Sequence, residues 1–226
     1  MKSKSSSKNK NASSHNQKVL DILEKIGAIV INDHFVYTSG KHGSIYVRKD
    51  KLYPHTKLTS LVCSFIAQDT KKMPIDVVVG PSVGGIILSQ WSAYHLSKLK
   101  KKEVISVFTE KSDSDTFEKP QVFKRGYDAL VKGKKVLVVE DLTTTGGSVK
   151  KVVDEVKKAG GKVVGVYVLL NRNLKVDAKM MRAPFFALSV LEADAFDEKN
   201  CPLCIEGRPI NTEVGHGKEF LKAKKK

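Results

Sequence analysis

One segment in the second half of the chain constrains the fold more than any other, because it joins a buried strand to an amphipathic helix. Val136 to Val139 form an unbroken apolar run, which is typical of a strand buried on both faces of a parallel sheet. After a polar turn, valines recur at helical spacing from Val149 to Val156, with charged residues at most other positions. This strand, turn and helix predict a repeating unit of an α/β fold.

The turn between them carries two kinds of polar group in a fixed order. Two adjacent carboxylates, Glu140 and Asp141, end the strand, where open α/β sheets bind their ligands. Donor groups suited to a phosphate dianion at a helix N-terminus follow: Thr143, Thr144, Thr145, Gly146, Gly147 and Ser148. Carboxylates do not bind that phosphate directly, so they suit sugar hydroxyls or Mg²⁺. A phosphorylated ribose satisfies both halves, whereas an ordinary capped turn would explain only the hydroxyls and glycines.

Apolar patterns extend this arrangement over most of the chain. A helix is predicted over residues 16–26, and Pro54 can open a second helix. The predicted strands are 28–31, 34–36, 75–79, 104–108, 136–139, 163–170 and 185–190. Strands that alternate with helices indicate a parallel sheet flanked by helices, here with a small N-terminal hood. Residues 109–135 lack periodicity and are predicted to form a long mobile lid.

Residues 136–148 resemble the 5-phosphoribosyl-1-pyrophosphate (PRPP) signature of type I phosphoribosyltransferases. From about residue 27 to residue 172, the chain is similar to orotate phosphoribosyltransferases in particular. The resemblance implies that Glu140 and Asp141 hold the ribose hydroxyls while residues 143–148 wrap the 5-phosphate. It also implies transfer of the phosphoribosyl group from PRPP to orotate, giving orotidine 5-monophosphate and pyrophosphate. Mg²⁺ would be bound through PRPP rather than by direct protein ligands, and the family is usually homodimeric.

Other segments carry the same resemblance to the binding residues of the family. Lys41 and the glycines Gly84 and Gly85 would bind PRPP or its pyrophosphate. Tyr46, Thr144 and Arg172 would contact the base, since Arg suits bidentate recognition of the orotate carboxylate. Without the resemblance, Lys41 and Tyr46 would be interpreted as a solvated lysine and a half-buried strand aromatic.

Two segments depart from the pattern of the orotate enzymes. Val83-Gly84 stands where many of them carry an aromatic residue and a lysine. In the predicted lid, Glu110-Lys111 replaces Arg-Lys, and no Lys-x-His follows. Lys111 is retained as a catalytic and PRPP-binding candidate, and Lys124 and Arg125 are the hypothesised source of the missing cations.

The formal net charge of +16 raises the question of nucleic acid. Much of that charge lies in the lysine-rich start and end of the chain, so we expect no functional nucleic-acid binding. Two alternatives stay open: a phosphoribosyltransferase for another base such as a purine, and a PRPP-sensing regulator that binds nucleic acid. The first shares the PRPP signature, and the second is favoured by the basic charge and the altered lid.

The three cysteines do not form a disulfide framework. Cys201-Pro-Leu-Cys204 has the spacing of two metal ligands, but no second Cys-x-x-Cys follows it. His216 would give only a third zinc ligand, and a fourth would have to come from Cys63 or from a partner subunit. The alternative is a pair of reduced structural thiols in a turn.

The chain is predicted to have three parts. Residues 1–15 are a disordered basic tail, residues 16–200 are the phosphoribosyltransferase domain with its hood, and residues 201–226 are a C-terminal extension. No apolar stretch reaches the length of a secretory signal or of a transmembrane helix. A soluble cytoplasmic protein is therefore expected.

Overall fold

The fold is described by a computed structural model that covers residues 13–37, 39–113 and 119–224. The described residues form two compact units: the first lies within residues 13–19 and 55–191, and the second within residues 20–54 and 192–224. The predicted tail lies almost entirely outside the described residues, and the predicted three-part division stays a prediction. Within the described ranges, no helix combines the length and apolar character needed to cross a membrane.

The first unit is built on a six-stranded sheet. Its strands are β3 (Val77–Pro81), β4 (Ile105–Lys111), β5 (Gln121–Val122), β6 (Lys135–Thr143), β7 (Lys162–Asn171) and β8 (Phe185–Val190). Their order is β5-β4-β3-β6-β7-β8, and every pair is parallel except β4 with β5. The predicted parallel sheet flanked by helices is confirmed.

Helices cover both faces of this sheet. They are α2 (Thr56–Thr70), α3 (Gly84–Lys100), α4 (Tyr127–Val131), α5 (Gly147–Lys158) and α6 (Ala178–Met181). The predicted valine stripe of α5 is buried and packs with one set of alternate strand residues, including Val136 and Val138. The strand residues that alternate with these face α2 and α3. On that side, the Tyr167 hydroxyl donates to Asp69 on α2, and the Ser106 hydroxyl donates to Ser89 on α3. Burial on both faces explains the unbroken apolar runs from Val77 to Val79 and from Val136 to Val139.

The second unit is a hairpin joined to the end of the chain. Its elements are the larger part of α1 (Asn16–Lys25), β1 (Ile29–Val36), β2 (His42–Val47), α7 (Pro202–Ile205) and α8 (Gly217–Ala223). β1 and β2 are antiparallel and pair Val36 with His42. Backbone hydrogen bonds join the C-terminal segment to both strands of the hairpin. On β2, His42 and Phe196 exchange two hydrogen bonds, and on β1 the His34 carbonyl accepts one from the Asn211 N–H.

Several predicted boundaries were wrong in instructive ways. Residues 29–36 form one strand, β1, where two strands were predicted over 28–31 and 34–36. Residues 109–135 are not a loop throughout, because β4 continues to Lys111, β5 pairs with it, and α4 follows. A buried hydrogen bond from the Thr109 hydroxyl to the Gln121 side chain (2.8 Å) supports this ladder. Residues 114–118 of the predicted lid lie outside the described residues.

Candidate active site

The acid pair lies inside β6, at the carboxyl edge of the first unit's sheet. Pairing of β6 with β7 continues as far as Thr143 opposite Asn171, so Glu140 and Asp141 lie within the strand rather than after it. Only 5% of Glu140 and 2% of Asp141 is exposed. The Asp141 N–H donates to the Glu140 carboxylate at 3.1 Å. Neighbouring strands therefore hold the pair in place.

The loop after β6 leads directly into the N-terminus of α5. Gly146 precedes the helix with φ of +79°, and a Cβ atom added there would lie 2.8 Å from the Met181 Cε atom. Glycine is therefore suited to this position for both conformation and space. Thr144, Thr145 and Ser148 are exposed around it, as is Gly147. The exposed hydroxyls and the first N–H groups of α5 are the kind of donors that suit an anion.

The end of β7 supports this loop from the neighbouring strand. The Arg172 N–H donates to the Thr143 carbonyl at 2.9 Å, and the Asn173 side-chain amide donates to the Thr144 carbonyl at 2.9 Å. Asn171 in turn accepts from the Asn173 N–H at 3.0 Å. These bonds fix Arg172 directly beside the loop. The predicted base-binding arginine and the predicted phosphate loop therefore share one edge of the sheet.

The glycine loop between β3 and α3 also lies at this edge. A Cβ atom on Gly80 would come within 2.3 Å of the Gly85 carbonyl oxygen, so the loop folds closely onto itself and tolerates no side chain there. The Ser82 N–H donates to the Thr109 carbonyl of β4 at 2.8 Å, and the peptide bond after Ser82 is cis. Gly84 and Gly85 open α3. β3 and β6 are adjacent parallel strands, and each leads into a helix, α3 or α5. The N-termini of these two helices therefore lie at the same edge of the sheet.

The predicted lid cations occupy different surroundings. Lys111 is exposed at the end of β4. Lys124 forms an ion pair with Asp113 at 3.0 Å, and Arg125 forms one with Glu110. The hydrogen bond from Lys124 is the main cause that lowers the pKa of the Asp113 carboxyl. Lys124 and Arg125 thus already have carboxylate partners, and their proposed role as substitute cations stays a prediction.

Lys41 and Tyr46 belong to the second unit and stay predictions as ligands. The Lys41 ammonium lies 3.5 Å from the Asp197 carboxylate, and both side chains are exposed. Tyr46 is half-buried on β2, with its ring 5.5 Å from that of Phe35. Exposure weakens the ion pair. Lys41 therefore retains most of its capacity to bind an anion.

The structure gathers other residues around Cys201 and Cys204 than the companions considered from the sequence. The described residues contain a single group of three or more side chains suited to a metal, and it joins these cysteines to His34 and His42. His216 does not belong to it. Cys63 is fully buried on α2 in the first unit, where burial raises the pKa of its thiol to about 12. No sequence spacing indicated the two histidines, because strand pairing brings them together.

Comparison with known proteins agrees with this geometry. The model of the phosphoribosyl transferase domain matches residues 50–187. The chain therefore belongs to the phosphoribosyltransferase family.

Two curated relatives and one solved structure are more specific. The orotate phosphoribosyltransferase of Caldanaerobacter subterraneus is 36% identical over 195 residues, covering 86% of this chain and 94% of that protein. That of Thermotoga maritima is 38% identical over 201 residues, covering 88% and 98%. The fold resembles orotate phosphoribosyltransferase from Mycobacterium tuberculosis in complex with inorganic phosphate, with a TM-score of 0.60, 21% identity and coverage of 77% and 94%.

Proposed function

We propose that this chain is an orotate phosphoribosyltransferase. It would transfer the 5-phosphoribosyl group from PRPP to orotate, giving orotidine 5-monophosphate and pyrophosphate. The observation that carries the proposal is the buried acid pair followed, after Leu142, by a largely exposed loop at the N-terminus of α5, residues 143–148, which we call the anion loop. The relatives that are 36–38% identical, named as orotate phosphoribosyltransferases, support the choice of base.

The reacting sugar is bound by residues of one β–α connection. Glu140 and Asp141 accept hydrogen bonds from the ribose hydroxyls, and residues 143–148 donate to the 5-phosphate. Departure of pyrophosphate leaves positive charge on the anomeric carbon, which the buried carboxylates stabilise from a fixed position. The protein needs no covalent nucleophile, because orotate itself attacks the sugar. Positioning and electrostatics therefore supply the catalysis.

Pyrophosphate and the base are assigned to flanking segments. Gly84 and Gly85 approach the pyrophosphate through backbone N–H groups at the start of α3, while Lys41 and Lys111 neutralise it. Arg172 pairs with the orotate carboxylate, and Tyr46 stacks on the ring, with Thr144 contributing a hydroxyl. A cytoplasmic homodimer is the proposed form of the enzyme.

Magnesium would be held mainly by PRPP oxygens and water. The acid pair and the threonine hydroxyls are oxygen donors, the type that Mg²⁺ prefers. When bound, Mg²⁺ neutralises the leaving pyrophosphate.

Turnover with a panel of bases tests the proposal. Purified protein is mixed with PRPP, Mg²⁺ and one base at a time: orotate, uracil, adenine, guanine or hypoxanthine. Pyrophosphate release and the nucleotide product are measured. We expect release only with orotate, accompanied by orotidine 5-monophosphate.

Each other outcome counts against a different part of the proposal. Release with a purine instead of orotate would keep the PRPP site and overturn the base assignment. Silence across the panel would overturn the enzyme assignment. Salt-sensitive binding of RNA or DNA under the same conditions would then favour the regulator alternative.

A further inference from the structure

Four side chains in the second unit bring their potential metal-binding atoms close to one another. They are His34, His42, Cys201 and Cys204, and all four ligand atoms lie within 4.8 Å of one another. The first three are fully buried, and Cys204 is partly buried. The phosphoribosyl transfer described above uses none of them. A buried cluster of two thiols and two imidazoles therefore needs an explanation of its own.

Backbone pairing places the two histidines on one face of the hairpin. His42 lies opposite Val36, and His34 is two residues before Val36 on the same strand. Side chains two residues apart along a strand point to the same face, so the imidazoles are diagonal neighbours. Their nearest nitrogen atoms, His34 Nε2 and His42 Nδ1, are 2.9 Å apart.

The two cysteines are placed by one short turn of helix. Cys201 precedes α7, Pro202 is its first residue, and Cys204 follows three positions after Cys201. Residues three apart on a helical turn share a face. The turn is brought to the hairpin by the paired backbone bonds between His42 and Phe196, at 2.7 and 2.8 Å. Both sulfur atoms thereby approach His34 Nε2, and that of Cys204 also approaches His42 Nδ1.

The hydrogen bond at the far side of His34 fixes which nitrogen faces the cluster. Its Nδ1 lies 2.8 Å from the Arg208 carbonyl oxygen, which can only accept a hydrogen bond. Nδ1 therefore carries the proton, and Nε2 presents its lone pair to the cluster. Metal-binding histidines are commonly oriented in this way by a carbonyl or carboxylate on the opposite nitrogen.

Three of the distances between donors match those of a tetrahedral zinc site, the imidazole nitrogens are closer together at 2.9 Å, and the remaining pairs lie within 4.8 Å. His34 Nε2 lies 3.6 Å from the Cys204 sulfur and 3.8 Å from the Cys201 sulfur, and His42 Nδ1 lies 3.3 Å from the Cys204 sulfur. With Zn–N bonds of about 2.0–2.1 Å and Zn–S bonds of about 2.3 Å, donors in a tetrahedral site are about 3.3–3.8 Å apart. Small adjustments would close the shell.

We propose that these four residues bind a structural Zn²⁺ ion that fastens the C-terminal segment to the N-terminal hairpin. Two thiolates and two neutral imidazoles form a complete tetrahedral set without an open position, which is the form of a structural rather than catalytic zinc site. A hydrogen bond between the imidazoles alone would explain their 2.9 Å contact, but not the convergence of both sulfur atoms on His34 Nε2.

The limited core of the second unit supports this role. Its buried apolar side chains among the described residues are Leu23, Ala28, Ile29, Phe35, Val36, Leu52 and Cys201. Small units of fewer than about 70–80 residues often need a metal or disulfide in addition to their core. A metal that links two segments far apart in sequence would stabilise such a unit most effectively.

Metal content of the full-length chain tests the proposal. The protein is purified without a histidine tag and analysed for metals, before and after incubation with Zn²⁺. We expect about one zinc ion per chain. Replacement by Co²⁺ should give the visible absorption of tetrahedral cobalt and a near-ultraviolet thiolate-to-cobalt band.

Ligand variants and matched controls identify the site. Cys204→Ser and His34→Gln should each lose most of the zinc, whereas Cys63→Ala and His216→Ala should retain it. Less than about one zinc per ten chains in the wild type after incubation with Zn²⁺ would overturn the proposal, as would a cobalt spectrum without a thiolate band. Retention of zinc in Cys204→Ser would also overturn it. If a ligand variant fails to fold, the wild-type metal content and cobalt spectrum still decide.

Discussion

The two units of this chain build their polar clusters in opposite ways. In the first unit, the acid pair and the anion loop are contiguous, from residue 140 to residue 148, and a sheet with a buried core holds them. In the second unit, His34 and Cys201 are 167 residues apart in sequence. A large core can thus hold a ligand site with neighbouring residues, whereas the small unit draws on distant residues and, on our proposal, on a metal.

Removal of the proposed zinc ion should show the largest difference between the two units. A chelator should greatly increase amide hydrogen exchange in residues 29–47 and 201–224, because the hairpin would lose its link to the C-terminal segment. Exchange in the buried strands β3, β6 and β7 should change little. Hydrogen exchange followed by mass spectrometry measures both regions in one sample.

Added Zn²⁺ provides the control for that experiment, since it should restore protection in the second unit. Equal loss of protection in β6 and in the hairpin would show that the units do not differ as described. If hydrogen exchange stays unchanged in all regions of protein that is shown to have lost its metal, the proposed structural role of the ion is contradicted.

Substitution of Gly146 should impair PRPP binding by the anion loop, whereas substitution of another glycine with positive φ should affect only stability. Gly146 and Gly133 both have positive φ, but a Cβ atom would meet Met181 only at Gly146 and nothing at Gly133. Both alanine variants should lose about 1–2 kcal/mol of unfolding free energy. Only Gly146→Ala should also lower kcat/KM for PRPP, by about tenfold. Steady-state kinetics and denaturation measure the two effects, and equal kinetic loss in both variants would contradict a specific role of the loop.

Arg172 should determine the affinity for the base and not that for PRPP. Arg172→Ala removes a bidentate partner of the orotate carboxylate, worth about 1.5–3 kcal/mol, so KM for orotate should rise about 10- to 100-fold. Arg172→Lys should recover only part of the loss. Lys162→Ala removes a positive charge from the opposite end of the same strand and should have little effect. An unchanged KM for orotate in Arg172→Ala would contradict the assignment of the base.

The lid cations should give the smallest effects. Lys111→Ala should lower kcat a few-fold to tenfold, because it removes a charge expected near pyrophosphate. Lys124→Ala and Arg125→Ala should change kcat less, since both side chains already pair with carboxylates. Single-variant turnover measures the ranking. A larger loss for Arg125 than for Lys111 would indicate that the ion pair with Glu110 opens during catalysis.

The sequence predicted those parts of the fold that depend on local pattern. The valine runs predicted β6 and α5 because a strand buried on both faces and an amphipathic helix have distinct periodicities. The acid pair and the glycines were recognisable because they follow in a fixed order between this strand and this helix. The extent of β6 was missed, because its pairing with β7 carries the strand through two carboxylates that an isolated pattern would place in a turn.

Tertiary pairing explains what the sequence did not predict. Residues 109–135 contain few apolar residues, and β5 forms only because Gln121 and Val122 pair with the end of β4. His34 and His42 lie in a segment that resembles a substrate-binding strand, and neither has the spacing of a metal motif. Cys201 and Cys204 had that spacing, but their partners depend on the hairpin register and on the backbone bonds to Phe196.

Direct binding of PRPP tests the central claim, that the acid pair and the anion loop together form the donor site. Titration calorimetry with PRPP and Mg²⁺, in the absence of any base, compares the wild type with the double variant Glu140→Gln/Asp141→Asn. Asp154→Asn, an exposed change on α5, is the control. We expect the double variant to bind PRPP at least about tenfold more weakly, because it loses two charge-assisted sets of hydrogen bonds. Equal affinity in all three proteins would contradict it.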